Sequence, residues 1–588
     1  MLIKQGIPVS PGVAMHKALV LDAEDQPVPR RVIPASRVNS ELEHFERAVT
    51  RSITQLRELQ KQTEESLGRE LARIFAFHIG MLSDDKLLEQ VRTLIRTDRV
   101  TAEYAVSTVL RRLEDVFLEQ ETRYFRDRVS DISDLERRLL SELRPAPTNK
   151  LHNITEPVVV IAHDLTPSQT ADFDRTKVMA IATDAGGRTS HTAILAHALG
   201  IPAVVGLGDL TRSVTSGDTV IIDGNRGRVA VSPDAENVLG YQQEVRRYAA
   251  FATMLAEIQS KPAETTDGVA IELMANIEFP SEIEEALSAG AMGVGLYRTE
   301  FLFLASPVPP TENDQVASYT EAIRALDGKP LTIRTLDLGA DKIAPSLGSL
   351  ESSERNPFLG CRSIRLCLQN LPLFRNQLRA ILRASAEGPV KIMFPLISNI
   401  MELRQAKMIF ADVREDLEDQ GVPFDPDIPL GMMIEVPSAA IQANCFAKEC
   451  DFFSVGTNDL IQYTVAVDRS NERIASLYSG GHPAVISLVR DVIRVARRAK
   501  IGVSLCGEMA GEPEFALLLL GLGLRSLSVT PPAIPTVKKL IRSVSIGHCE
   551  RIARKARSFD SDREVMKYLR DELERTLPEA FGGRSTTY

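Results

Sequence analysis

The chain has 588 residues, 44% of them apolar and 25% charged, with a formal net charge of −10. That length exceeds what one hydrophobic core organises and implies roughly two to four domains, while the composition excludes a disordered, collagen-like or membrane chain. The acidic balance argues against a nucleic-acid binder, whose footprint is a basic excess, so a small anion has to be met by a local cluster of arginines.

The opening segment, MLIKQGIPVSPG, lacks the apolar core of a signal peptide and reads as short strands around Ser10–Gly12, so secretion is not expected. From Ala35 the texture turns helical: Leu42, Phe45, Val49, Ile53 and Leu56 recur at three- and four-residue steps among charges, with few Gly or Pro to interrupt them. Strand signals return at PVVVIAHDL, VMAIATD, IPAVVG and DTVIIDG, giving a small α/β domain. The opening strands are expected to join it, which makes the helices an insertion. Val238 to Ile258 then reads as a long connecting helix through Val245, Tyr248, Phe251 and Leu255.

Beyond Lys261 strand-like runs alternate with helical segments: VAIELMANI, GVGLYRTEF, LTIRTLDLG, VKIMFPLI, IPLGMMIEV, FFSVGTNDL, GVSLCGEMA and LRSLSVT. Eight such repeats over about 300 residues predict a (β/α)8 barrel of TIM type. The longest apolar run, near Phe515–Leu524, is about half of the roughly 20 residues that span a bilayer, and reads as a core helix. Six cysteines (Cys361, Cys367, Cys445, Cys450, Cys506 and Cys549) show neither a CxxC pair nor zinc spacing, which fits a reduced, cytoplasmic setting.

Asn276, Arg298, Arg334, Glu435, Asn458, Asp459 and Cys506 fall at or just after predicted strand ends, where barrel enzymes gather their active groups. Arg298, Arg334 and Arg469 at one mouth suit a polyanion, phosphate above all, because guanidinium forks pair bidentately with its oxygens. Any one of them taken singly could equally be a surface ion pair. Glu435 and Asp459 offer two hard carboxylate ligands that favour Mg²⁺ over zinc, with counter-ions for the arginines as the plainer alternative. Cys506 could donate a proton or simply be a small buried hydrophobe.

The segment DAGGRTSHTAILAHALGIPAVVG sets Gly186 and Gly187 between a strand and a helix, so that His191 falls in the helix's first turn, where free N–H groups favour an anion. Thr189 or Ser190 can cap that helix. A neutral imidazole can itself become a covalent phosphoryl carrier near pH 7. His16, His44, His78, His152, His163, His482 and His548 lack such a setting and read as structural.

Taken together, GGRTSHTAILA, GLYRTEFLF, NPFLGCRSIR, IMFPLI, SVGTNDLIQYTVAVDR and LCGEMAG, in this order, resemble the motifs of Enzyme I of the bacterial phosphoenolpyruvate:sugar phosphotransferase system, and the resemblance covers nearly the whole chain. It implies that His191 accepts the phosphoryl group with support from Thr170, and that Arg298, Arg334, Asn458, Arg469, Arg362 and Lys342 bind phosphoenolpyruvate. Glu435 and Asp459 would hold Mg²⁺, and Cys506 would protonate the enolate to give pyruvate. The implied organisation is a swivelling phosphohistidine α/β domain (1–34 and 148–235), an inserted α-helical subdomain (35–147), a helical linker (236–261), the phosphoenolpyruvate-binding barrel (262–575) and a tail (576–588). The insertion would dock a histidine-containing phosphocarrier, HPr. Homodimerisation through the barrel is implied as well, and because the barrel and histidine domains are separate, a hinge around the Asn237 to Lys261 connector is predicted so that His191 can swing between them.

Three positions depart from the expected pattern: His197, Cys361 and Val436 stand where arginine, tryptophan and threonine are expected. None removes a proposed catalytic group. Pyruvate phosphate dikinases and phosphoenolpyruvate synthases share the two core units but add a nucleotide-binding domain, for which the N-terminal helices are too short and lack a glycine-rich phosphate loop. A non-catalytic phosphoenolpyruvate sensor is the rival from another class, and the intact set of chemical groups argues against it.

Overall fold

A computed structural model describes residues 2–10, 12–21, 28–67, 78–119, 129–143, 154, 156–165, 177–187, 192, 196, 201–224, 226–233, 253–304, 309–339, 356–469, 471, 474 and 477–578. The chain divides into two compact units, the second spanning Phe251–Phe581.

The first unit holds an eight-stranded sheet of β1 (Leu2–Gln5), β2 (Ile7–Ser10), β3 (Val13–Leu21), β4 (Val158–Ala162), β5 (Val178–Thr183), β6 (Ala203–Val205), β7 (Thr219–Asp223) and β8 (Arg228–Val231). Their order is β1-β8-β7-β3-β4-β5-β6-β2, with β3 to β6 parallel and the flanking strands antiparallel. Strands from the start of the chain therefore share a sheet with strands beyond residue 157. Val159 and Ile161 enter one core layer with Ala18, Val204 and Ile222, whereas Val160 and Ala162 enter another with Leu21, Val178 and Ile181. This is the period-two alternation of a sheet covered on both faces. Strand β8 escaped the sequence reading because RVAV is too short to display a period. At the turn into it Gly227 has φ +67°, and a Cβ there would stand 2.5 Å from the Gly6 carbonyl oxygen.

Between β3 and β4 the chain forms α1 (Val38–Leu67), α2 (Asp85–Asp98), α3 (Ala102–Glu119) and α4 (Val129–Leu143). The apolar stripe anticipated on α1 is the one that packs: Phe45, Val49 and Leu56 are buried with Ile95, Val106 and Leu139, while Leu42 and Ile53 flank them. Asp84 caps α2 by accepting from the Lys86 N–H at 2.9 Å.

The second unit contains a closed parallel barrel of β9 (Glu272–Ile277), β10 (Val294–Arg298), β11 (Leu331–Arg334), β12 (Val390–Phe394), β13 (Leu430–Ile434), β14 (Phe452–Val455), β15 (Gly502–Leu505) and β16 (Ser526–Val529). Each strand lies in one of the eight runs marked in the sequence. Register carries Arg298 beside Arg334 and Ile434 beside Val455, and β16 closes onto β9 at Val529 and Ala275. The apolar run near Phe515 is a buried helix, Pro513–Leu522, whose Gly521 lies against the Cys549 backbone so closely that any side chain would overlap it. No helix among the described residues is long and apolar enough to cross a membrane.

Candidate active site

In a parallel barrel all C-terminal strand ends open on one mouth, so residues at those ends meet however far apart they lie in sequence. β10 and β11 end in Arg298 and Arg334, Glu435 follows β13, and Cys506 follows β15. Asn458 and Asp459 lie in the first turn of the helix Thr457–Val465 that follows β14. Arg362 reaches the same mouth from the segment after a short helical turn, Pro357–Leu359, held by a bridge between its backbone and Gly339.

The arginines are already organised by carboxylates. Arg298 pairs with Glu278 at 2.9 Å, and Arg334 pairs with Glu300 at 3.0 Å and Asp337 at 2.9 Å. Asp337 offers its other oxygen to Arg362 at 2.9 Å, and Arg362 lies 3.5 Å from Asp459. Asn458 donates to the Glu508 carboxylate and accepts from its backbone N–H, both at 2.9 Å, and the exposed Arg469 lies 3.6 Å from that carboxylate. Burial alone would raise Asp337, but Arg334 and Arg362 outweigh it and hold the carboxyl well below the usual range. Burial likewise opposes the charge on Arg334, and Glu300 with Asp337 more than restores it. Both arginines thus stay cationic at the mouth.

Glu435 is buried, and its Oε1 accepts from the Leu396 N–H at 2.6 Å. Burial, then the negative charges of Asp337 and Asp459, push its carboxyl up to about 8. Burial also raises Asp459, with Asp337 adding to it against Arg362. Glu435 and Asp459, the two carboxyls anticipated as metal ligands, therefore stand at one mouth and are both raised by burial and by the Asp337 charge; the described residues contain no group of three or more His, Cys, Asp or Glu side chains placed to hold a metal ion. The buried Arg334 Nε has no hydrogen-bond acceptor among the described residues, which leaves a cationic N–H donor for an anionic guest.

Cys506 lies at the floor of the mouth, packed with Leu296, Met393 and Met433, and burial raises its thiol. A thiol kept protonated there can give a proton to carbon and is a poor nucleophile.

Of the residues singled out in the sequence, Arg298, Arg334, Arg362, Glu435, Asn458, Asp459, Arg469 and Cys506 are linked through these ion pairs, hydrogen bonds and charge interactions. Thr170, His191, His197, Lys342 and most of the connecting helix lie outside the described residues. Next to His191, the buried Thr192 hydroxyl lies 3.4 Å from Asp164 Oδ1 and from the Leu165 carbonyl, and Gly186 takes φ +103° in the preceding turn. Sequence reasoning missed Glu278, Glu300, Asp337 and Glu508. A signal was present for two of them, since Glu300 and Asp337 follow the strand-end arginines Arg298 and Arg334 by two and three residues.

Residues 253–546 match the PEP-binding domain of PEP-utilising enzymes, residues 5–128 their N-terminal domain, and residues 154–227 their mobile domain. The chain is 42% identical over 565 residues to the phosphoenolpyruvate-protein phosphotransferase of Bacillus sp. (strain S), covering 96% of this chain and 97% of that protein. With that of Bacillus subtilis (strain 168) it shares 40% over 567 residues, 96% of this chain and 99% of the relative. An NMR solution structure of an Enzyme I protein is 38% identical, covering 42% of this chain and 99% of its own, with a TM-score of 0.37. The near-complete alignment at this identity, together with three matched domains in order, places the chain in the phosphoenolpyruvate-protein phosphotransferase family of PEP-utilising enzymes.

Proposed function

We propose that this protein moves the phosphoryl group of phosphoenolpyruvate to His191 and then to a histidine of an HPr-type carrier, releasing pyruvate and opening a sugar phosphotransferase chain. The observation that carries this reading is the convergence of Arg298, Arg334, Arg362, Glu435, Asp459 and Cys506 on one barrel mouth. His191 falls inside the segment that matches the mobile domain, which fits a group that visits a second site.

Arg298 and Arg334 bind the phosphoryl oxygens through charge-assisted hydrogen bonds, with Arg362, Asn458, Arg469 and Lys342 completing the grip on substrate. Glu435 and Asp459 would hold Mg²⁺, which supplies charge neutralisation on the phosphoryl oxygens. The His191 imidazole nitrogen forms the bond to phosphorus as the P–O bond to the enol breaks, and Thr170 supports the imidazole by hydrogen bonding. The enolate carbon then takes a proton from the Cys506 thiol, giving pyruvate, and solvent returns the proton to sulfur. Positioning and charge do most of the work in such a transfer.

The domain assignment that goes with this reading is 1–34 with 148–235 for the phosphohistidine domain, 35–147 for the carrier-docking helices, 236–261 for the linker and 262–575 for the barrel, through which two copies pair. Six free cysteines agree with a reducing cytoplasm.

The test is incubation with radiolabelled phosphoenolpyruvate and Mg²⁺. Wild type should take up one acid-labile label, and His191→Ala none. Acid-labile label persisting on the variant would overturn the assignment.

A further inference from the structure

Asn276, which the sequence places at a strand end beside the catalytic groups, has no part in the chemistry above, yet it is tied to Cys506. It lies near the end of β9, buried, and its Nδ2 donates to the Cys506 carbonyl oxygen at 2.9 Å. Its Oδ1 accepts from the Ser528 hydroxyl at 2.7 Å. Ser528, fully buried on β16, also reaches the Ala275 carbonyl at 3.1 Å. Gly295 on β10 makes room for that hydroxyl, since a Cβ there would stand 2.5 Å from Ser528 Oγ.

The barrel ladder alone does not hold Cys506. Its N–H donates to the Val455 carbonyl at 3.1 Å, anchoring one side to β14. On the other side β15 and β16 pair only at Leu505 and Leu527, so the ladder ends one residue short of Cys506. The Asn276 amide takes up the Cys506 carbonyl there, from the strand beyond β16. The Cys506 backbone is thereby held through both its N–H and its carbonyl, and its side chain lies among Leu296, Met393 and Met433 with Sγ 3.7 Å from the Val455 carbonyl oxygen.

We propose that Asn276, backed by Ser528, is the positioning residue that aims the Cys506 thiol at the substrate carbon. The proposal rests on the reading of Cys506 as the proton donor. Proton transfer to carbon requires the donor within hydrogen-bond reach, and a displacement of about 1 Å can cost about 100-fold in rate. Loss of the Asn276 bond therefore slows protonation while leaving the arginine cluster and phosphoryl transfer in place.

The experiment follows methyl deuterium washout from trideuterated pyruvate into water by NMR, with Mg²⁺, on the full-length protein. In parallel, labelling by phosphoenolpyruvate is measured in a single turnover. Asn276→Leu is close in volume and removes the amide donor to Cys506, while the Ser528 hydroxyl keeps the Ala275 carbonyl as acceptor. It should lower washout about 100-fold with the labelling rate and the KM for phosphoenolpyruvate within about twofold of wild type. Ser528→Ala, which leaves Asn276 in place, should lower washout about 10-fold. Wild-type washout in both variants, or washout and labelling falling together, overturns the positioning role. Wild-type washout in Cys506→Ala overturns the proton-donor reading itself, so the two failures are told apart.

Discussion

Binding of Mg²⁺ at pH 7 should expel close to one proton from this protein. A carboxylate must be ionised to ligate a metal, so a ligand that is protonated beforehand gives up its proton on binding. Glu435 is such a group, because burial and the charges of Asp337 and Asp459 push it up to about 8. A carboxyl with that value is about nine-tenths protonated at pH 7, half at pH 8 and about one-tenth at pH 9. Release should follow the same course, from about 0.9 proton per metal to about 0.1. Calorimetric titration of Mg²⁺ into the full-length protein, in buffers of different ionisation enthalpy, reads this number from the dependence of heat on buffer. Glu435→Gln should remove most of the release, leaving only what the raised Asp459 contributes. Asp337→Asn, which removes the larger of the two neighbouring charges that raise Glu435, should cut it at pH 7. Measurable binding at pH 7 with no buffer dependence would refute the account of Glu435.

The metal-free protein should lose stability as pH rises from about 5 to 8. Glu435 has a folded value above its ordinary 4.5, so its contribution is complete below 4.5 and lost as pH climbs through about 8, by up to about 1.4 kcal/mol per pH unit for one proton; Glu300 and Asp459, also raised by burial, act in the same sense. Urea denaturation of metal-free protein across that range checks the sign, and a rising midpoint would contradict it. Cys506→Ala should slow pyruvate formation about 100-fold or more while His191 still passes its phosphoryl group to the carrier; unchanged turnover would reduce Cys506 to packing. At Gly507 an added methyl would overlap the Thr457 hydroxyl oxygen and stand 2.6 Å from the Thr457 N–H nitrogen, so Gly507→Ala should cost about 1–3 kcal/mol and raise the KM for phosphoenolpyruvate through Asn458 and Asp459. Leu518, fully buried in the helix Pro513–Leu522, should cost about 2–5 kcal/mol on conversion to alanine, read as a shift in denaturation midpoint.

What the sequence determined by itself was set by local patterns. The apolar three-and-four spacing of Phe45, Val49 and Leu56 marked a helix face because helical periodicity is a property of the chain, and the short apolar runs ending in polar residues marked the eight barrel strands. Arg298, Arg334, Glu435, Asp459 and Cys506 were legible for the same reason: once a parallel barrel is inferred, a strand's C-terminal end is a place at the mouth. The tertiary structure decided the rest, because burial and through-space charge have no sequence period. Only folding brings Asp337 between Arg334 and Arg362, or lifts Glu435 by surrounding it with two carboxylates 98 positions before it and 24 after it. Asn276 and Cys506 lie 230 residues apart and become neighbours because β16 closes onto β9, so the bond that holds the thiol exists only in the closed barrel.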